Sequence, residues 1–220
     1  MDFYARSPQN NDYPLLFDRK TIKKRSPEIL SPNKTQTDLS SISKITNNIY
    51  LSGVAPMELN PGIIREYDIK YILCCVKKKN VSSIHNKIIL ENPNIVILYL
   101  PYDDMLYQNL WQRNNNMIDI YKYAGSAYDN VEIESRIKLY TNRPLIEIGY
   151  RFIDDAVSSH KNILIHCMAG ISRSVSLVTY YFMKKFNVSF DQTFNFIKSK
   201  RNIADPNSSF KRQLKTYDNL

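Results

Sequence analysis

The chain has 220 residues, 43% hydrophobic and 23% charged, with a net charge of +9. That length builds one sizeable core, or one core and an extension, and no apolar run reaches the roughly 18 residues that a membrane-spanning helix needs. The polar start MDFYARSPQNNDYP has no apolar stretch of the secretion-signal kind, and three cysteines without C-x-x-C spacing beside three scattered histidines speak against a disulfide framework or a zinc centre.

An intracellular, reducing setting is therefore expected, cytoplasmic or nuclear. The basic surface favours anionic partners: phosphoproteins, nucleic acid or acidic lipid.

Residues 1–43 read as an extended or flexible N-terminal segment. They are rich in Ser, Pro, Asn and Thr and show little periodicity. The cluster RKTIKKR, Arg19 to Arg25, reads first as a solvated charge run; a nuclear address or an anion-binding patch are the alternatives. Order is expected from KITNNIYLSG onward. Ile49 to Leu51 form a short strand after the Asn47-Asn48 turn signal. Tyr71 to Val76 and Ile95 to Leu100 are continuous apolar runs, and NILIHC, from Asn162 to Cys167, is a third. Runs apolar on both faces, separated by helical stretches, predict a central, mainly parallel twisted sheet flanked by helices, an α/β fold.

Helices are expected over Pro144 to Ser159, with Leu145, Ile148, Phe152, Ile153 and Val157 on one stripe and Pro144 in the first turn. Further helices are expected over Ser174 to Phe186, over Ser189 to Lys200 with Ser189 as cap, and from about Asn207, where Phe210, Leu214 and Tyr217 fall at helical spacing. Between Leu110 and Pro144 the pattern is mixed; Met117 to Tyr123 is expected to be partly helical.

The chemistry concentrates in HCMAGISRS, His166 to Ser174, between a buried strand and a helix. Ligands of open α/β sheets bind beyond the carboxyl ends of the strands, and the free N–H groups of a helix start form an anion site there. Ala169 and Gly170 are small enough for the backbone to curl so that the N–H groups of Met168, Ala169, Gly170, Ile171 and Ser172 converge on an anion. Arg173 adds a planar fork of donors matched to two phosphate oxygens. A thiolate at Cys167, under that cradle, is a nucleophile aimed at phosphorus. The pattern thus predicts that cysteine attacks, arginine holds the phosphate, and loop amides stabilise transition-state charge. The leaving oxygen needs a proton, and a carboxylic acid in a loop at the same sheet end supplies one. LPYDDMLYQNL offers two neighbours, Asp103 and Asp104.

The loop resembles the signature H-C-x-x-G-x-x-R-S/T of the cysteine-based protein phosphatases, and its Ser-Arg-Ser form resembles their dual-specificity branch. ITNNIYLSG and YDIKYILCC are similar to the family's first core strands. FIDDAV, YYFMKKFNVSFDQTFNFIKSKR and DPNSSFKRQL are similar to its closing helices, the last with a poxviral flavour. The resemblance covers about residues 44–110 and 144–220, so it implies a tyrosine-phosphatase-like catalytic domain over 44–220 with an insertion at about 111–143.

The family's Asp lies three residues after the Pro, with an Asn-Leu pair five residues beyond. Asp104 with Asn109-Leu110 meets both spacings, so the resemblance implies Asp104 as general acid and base and leaves Asp103 second. It implies further that Ser174 assists the leaving thiolate, the alternative being a helix cap. His166 is expected to orient the loop. The resemblance also raises a redox disulfide between Cys167 and Cys75 or Cys74, against their reading as core thiols.

The implied activity is hydrolysis of phosphotyrosine and phosphoserine or phosphothreonine in proteins through a cysteinyl-phosphate intermediate, in a shallow pocket, with no metal or cofactor. RNA 5′-phosphatases and phosphoinositide phosphatases share the fold and loop and stand as alternatives. RNA is favoured by charge but not by Arg173-Ser174-Val175, and phosphoinositides are disfavoured by a loop without basic residues before Arg173. A non-catalytic phosphate-binding module is a further alternative, opposed by the presence of Cys, Arg and Asp together. Poxviral-type relatives dimerise through N-terminal segments, which makes a homodimer an expectation here, although residues 1–43 show no clear amphipathic helix. The insertion is expected to form either a lid, given Trp111, Tyr121, Tyr123 and Tyr128, or a surface excursion.

Overall fold

The computed structural model describes residues 38–115, 118–122 and 140–218. The Arg19 to Arg25 cluster and most of the expected N-terminal segment lie outside these.

Six strands form one sheet: β1 (Ser43–Lys44), β2 (Ile49–Ser52), β3 (Ile69–Cys74), β4 (Val96–Tyr99), β5 (Asp119–Tyr121) and β6 (Asn162–His166). Their spatial order is β1-β2-β6-β3-β4-β5. The inner four, β2, β6, β3 and β4, run parallel, while β1 and β5 pair antiparallel at the two edges. The parallel strands are the continuous apolar runs of the sequence. Ile49, Leu51, Ile72, Leu73, Ile97, Leu98, Ile163, Leu164 and Ile165 are all fully buried, as strands covered on both faces must be.

Seven helices surround the sheet among the described residues: α1 (Ala55–Leu59), α2 (Ile63–Glu66), α3 (Ser82–Glu91), α4 (Leu145–Ser158), α5 (Arg173–Phe186), α6 (Phe190–Lys200) and α7 (Ser208–Asp218). α4 buries Leu145, Ile148, Phe152 and Ile153 along its expected stripe, with Val157 half-buried against the core. Pro144 sits one position earlier than expected, as the residue preceding the first turn.

α5 is the central helix, with every residue from Ser174 to Met183 buried. Two of its buried hydroxyls are satisfied within the helix, Ser176 Oγ on Ser172 O at 2.9 Å and Thr179 Oγ1 on Val175 O at 2.8 Å. Asn187, in the left-handed region at φ 53°, ends α5. α6 opens on a full capping box between Ser189 and Gln192.

One expected element is corrected. Residues 119–121 are a strand, not part of a helix; Met117 and Tyr123 lie outside the described residues. Ile118, Ile120 and Tyr121 pack against the core while Asp119 is exposed. The free edge of β4 supplies the backbone partners, with Ile97 opposite Tyr121 and Tyr99 opposite Asp119. The ends of the insertion are tied together, since Asn114 N–H donates to Arg143 O and Asn142 N–H to Asn114 O at 2.8 and 2.9 Å. No helix among the described residues is long and apolar enough to cross a membrane.

Candidate active site

β6 ends at His166, and the chain turns through Cys167 to Ser172 before α5 begins at Arg173. Four consecutive carbonyls of that turn are taken by groups outside it. Met168 O accepts from Val54 N–H at 3.0 Å, Ala169 O from Arg201 Nη2 at 3.2 Å, Gly170 O from Arg201 Nε at 2.7 Å, and Ile171 O from Asp205 N–H at 2.8 Å. In a trans peptide the C=O and the following N–H point opposite ways. Pinning four carbonyls outward therefore turns the N–H groups of Ala169, Gly170, Ile171 and Ser172 inward, a nest of the anion-binding kind.

Gly170 N–H reaches Cys167 Sγ at 3.2 Å. Gly170 has φ +68°, and a Cβ there would lie 2.4 Å from the Ser52 carbonyl carbon. The loop thus presses against the exit of β2 with no room for a side chain.

Cys167 is 1% exposed. Besides Gly170 N–H, its sulfur accepts from Ser174 Oγ at 3.2 Å. Ser174 is therefore not the cap of α5: the residue preceding the helix is Ser172, and Ser174 is inside the first turn with its hydroxyl turned back to the sulfur. Arg173 donates Nη1 to Tyr102 O at 3.3 Å, and its buried Nε has no hydrogen-bond acceptor among the described residues. Met168, by contrast, stands 42% exposed at the surface of the loop.

The two candidate acids part company. Asp103 pairs with Lys77 Nζ at 2.9 Å. Asp104 turns to the loop: its Oδ1 accepts from Ser172 Oγ at 2.6 Å and from Asn207 Nδ2 at 2.9 Å, and its Oδ2 lies 3.6 Å from Arg173 Nε. The segment is braced from α7, where Gln213 accepts from Leu110 N–H at 2.9 Å and donates to Gln108 O at 2.8 Å.

His166 is fully buried, with Nδ1 3.2 Å from Cys167 O. Burial lowers its pKa to about 4, and the Arg173 charge acts in the same direction, so the ring is neutral at pH 7. Cys74, Cys75 and Cys167 are free thiols. Burial pushes Cys74 up to about 12 and Cys75 well above the ordinary thiol range.

Sequence reasoning passed over Arg201, Asn207 and His85. Arg201 was visible only as the end of YYFMKKFNVSFDQTFNFIKSKR, yet it is 2% exposed and holds two loop carbonyls together with Ser43 Oγ at 3.1 Å and Ser41 O at 3.4 Å. Asn207 was visible as the start of the last helix and within DPNSSFKRQL, without a role at the site. Trp111 packs edge-on against Tyr180 of α5 and beside Tyr217 of α7, and Tyr121 sits on β5. These two expected lid aromatics serve the body of the domain, while Tyr123 and Tyr128 lie outside the described residues.

Comparison with known proteins agrees with this geometry. The sequence model of the family described as "Dual specificity phosphatase, catalytic domain" matches residues 49–220. The chain is 52% identical over 180 residues, 82% of its length and 85% of the relative's, to protein R622 of Acanthamoeba polyphaga mimivirus, whose name is that of a tyrosine-protein phosphatase. It is 31% identical over 179 residues, 81% and 87% of the two chains, to the similarly named AMV078 of Amsacta moorei entomopoxvirus. The crystal structure of a human tyrosine phosphatase-like serine/threonine/tyrosine-interacting protein superposes with a TM-score of 0.57 over 81% of this chain and 95% of that one, and at 20% identity it bears on the fold alone. A sheet that delivers a cysteine into a nest of backbone donors, matched along most of its length by the family's own sequence pattern, places this chain among the dual-specificity phosphatases, hydrolases that act on phosphorylated proteins.

Proposed function

We propose that Cys167 is the nucleophile, Arg173 the phosphate ligand, Asp104 the general acid and base, and Ser174 the donor to the departing thiolate. The observation that carries this reading is the convergence on one loop of a sulfur with two donors, a buried arginine Nε with no acceptor of its own, and a carboxyl tied to the loop's Ser172.

The phosphoryl group of a substrate side chain sits in the nest of N–H groups from Ala169 to Ser172, with Arg173 bridging two of its oxygens. The Cys167 thiolate forms the S–P bond as the P–O bond to the leaving hydroxyl breaks. Asp104, acting as the acid, gives that oxygen its proton. Asp104 then takes a proton from water as the water oxygen attacks phosphorus. The S–P bond breaks, inorganic phosphate leaves, and the sulfur's returning charge is met by Ser174 Oγ–H and Gly170 N–H. His166, neutral and anchored on the Cys167 carbonyl, orients the loop and carries no proton in either step.

The catalytic unit in this reading is residues 44–220, joined to the preceding segment through Arg201. A free nucleophilic thiol suits a reducing, intracellular compartment. A second reading, RNA 5′-phosphatase, draws on the net charge of +9.

One assay decides between them. Phosphate release in EDTA is measured from matched phosphotyrosine, phosphothreonine and phosphoserine peptides and from 5′-triphosphorylated RNA. The expected result is release from phosphotyrosine and at least one other peptide, abolished in Cys167→Ser and slowed about a hundredfold in Asp104→Asn. Release from RNA alone would overturn the protein-phosphatase reading.

A further inference from the structure

Behind the nucleophile runs a buried chain of side chains that the two chemical steps do not use. His85 on α3 and His166 at the end of β6 are both fully buried. Their Nε2 atoms are 3.1 Å apart. On the far side, His85 Nδ1 lies 2.9 Å from Tyr99 OH. On the near side, His166 Nδ1 lies 3.2 Å from Cys167 O.

The direction of each hydrogen bond follows from the groups at the end of the chain. A carbonyl oxygen only accepts, so His166 Nδ1 carries the hydrogen. The ring is neutral, so His166 Nε2 is a bare acceptor. The contact between the two Nε2 atoms then needs its hydrogen from His85. His85 is neutral as well, held down to about 3 by burial and by His166, which leaves its Nδ1 to accept from Tyr99. One arrangement satisfies every group: Tyr99 O–H to His85 Nδ1, His85 Nε2–H to His166 Nε2, and His166 Nδ1–H to Cys167 O.

We propose that His85 is a positioning residue of the phosphatase reaction: its Nε2–H holds His166 in the Nδ1–H tautomer and so anchors the Cys167 carbonyl at the root of the phosphate loop. The inference rests on Cys167 being the nucleophile. In the opposite tautomer, His166 would turn a lone pair toward the Cys167 carbonyl oxygen, and two acceptors would face each other in a dry interior, where an unmet polar contact costs about 1–3 kcal/mol. Cys75 N–H donates to His166 O at 2.8 Å and secures the residue's backbone, while the ring meets the carbonyl of the peptide that follows, just before the nest.

A metal ion is the competing use of these atoms. Cys74 Sγ and one ring nitrogen each of His85 and His166 all lie within 4.8 Å of one another. In a tetrahedral zinc centre, bond lengths of about 2.05 Å to nitrogen and about 2.3 Å to sulfur set ligand–ligand edges near 3.3–3.6 Å. The two nitrogens at 3.1 Å are at hydrogen-bonding distance, and the Cys74 thiol donates instead to Val76 O at 3.5 Å. The distances favour a proton over a metal between the rings.

The test begins with the full wild-type chain carrying 15N-labelled histidine. NMR is expected to show His166 protonated at Nδ1, His85 protonated at Nε2, and a nitrogen–nitrogen coupling transmitted across the hydrogen bond between them. Kinetics on a small aryl phosphate come next. His85→Leu, which fills the space without a donor, is expected to lower kcat about ten- to a hundredfold with KM within about twofold of wild type. His85→Gln, whose amide keeps a donor to His166, is expected to restore most of that loss. Absence of the coupling in the wild type, or an unchanged kcat in His85→Leu, overturns the proposal. Should His85→Leu fail to fold, His85→Gln and the wild-type spectrum decide: a kcat in the folded His85→Gln lowered about ten- to a hundredfold from wild type would overturn it. A wild type that shows the coupling yet hydrolyses no phosphoester would overturn the catalytic roles and with them the positioning role, while missing coupling in an active enzyme would overturn His85's part alone.

Discussion

β3 and β6 are hydrogen-bonded neighbours, and each brings a buried cysteine to the same end of the sheet, Cys74 standing opposite His166 and Cys167 following one residue later. Exposure does not separate them, at 0% and 1%. What separates them is what points at the sulfur. After β3 the chain runs on through Cys75 and Val76, and the Cys74 thiol is itself a donor, to Val76 O. Burial then holds it protonated, up to about 12. After β6 the chain curls with its carbonyls outward, and two donors, Gly170 N–H and Ser174 Oγ–H, come to Cys167 Sγ. Two sulfurs equally buried thus meet opposite surroundings, donors at Cys167 and an acceptor at Cys74.

Alkylation of the native protein by iodoacetamide near neutral pH, followed by peptide mass mapping, puts the greatest strain on that contrast. Cys167 is expected to react about two orders of magnitude faster than Cys74 or Cys75. Similar labelling at all three would erase the difference between the two strand ends.

A smaller effect isolates a single donor. Ser174→Ala leaves Gly170 N–H in place and removes one hydrogen bond to a charged sulfur, which is worth about 1.5–3 kcal/mol, so breakdown of the phospho-enzyme should slow about ten- to a hundredfold. Rapid-quench kinetics should show a burst of aryl alcohol followed by a slow steady state. A linear progress curve at the wild-type rate would show that the hydroxyl does not act on the departing sulfur.

The smallest effect concerns acid. His85 and His166 have depressed values, about 3 and about 4 against an ordinary 6.5. The unfolded chain therefore binds more protons than the folded one below about pH 6.5, and the stability these rings contribute is complete above that value and lost as pH falls toward about 4 and about 3. The groups around them are Cys74, Tyr99 and Arg173, with Asp119 and Tyr121 beside Tyr99 and Lys78 Nζ 5.8 Å from the Tyr99 ring. Urea unfolding from about pH 7 to about pH 4.5 should give a stability slope that His85→Gln reduces by up to about one proton. Equal slopes in the two proteins would mean that His85 is not held neutral.

Much of the fold was legible because its signals are local. Strands buried on both faces must be apolar throughout, so β3, β4 and β6 stood out as runs. α4 and α7 showed their stripes, and Ser189 announced the start of α6. The loop from His166 to Ser174 was legible for the same reason: nucleophile, small residues, arginine and helix start are adjacent in the chain. β5 was misread because three residues are too few for a period, and what makes them a strand is the unpaired edge of β4, far away in sequence. Asp103 and Asp104 differ in partners that no spacing names, Lys77 for one and Ser172 with Asn207 for the other.

The sequence by itself determined the sheet's buried strands, the helices that cover it, and the place of the candidate phosphate loop, since each is written in consecutive residues whose burial pattern or backbone freedom is a local property. Tertiary structure alone decided which way the loop's peptides face. Val54, Arg201 and Asp205, contributed by segments before and after the loop, take its carbonyls and so turn its N–H groups inward. It alone likewise decided that His85, an isolated histidine on a helix, lies against the ring beside the nucleophile. Hydrogen bonds among buried groups depend on distance in space, and the chain's order carries that distance only after it has folded.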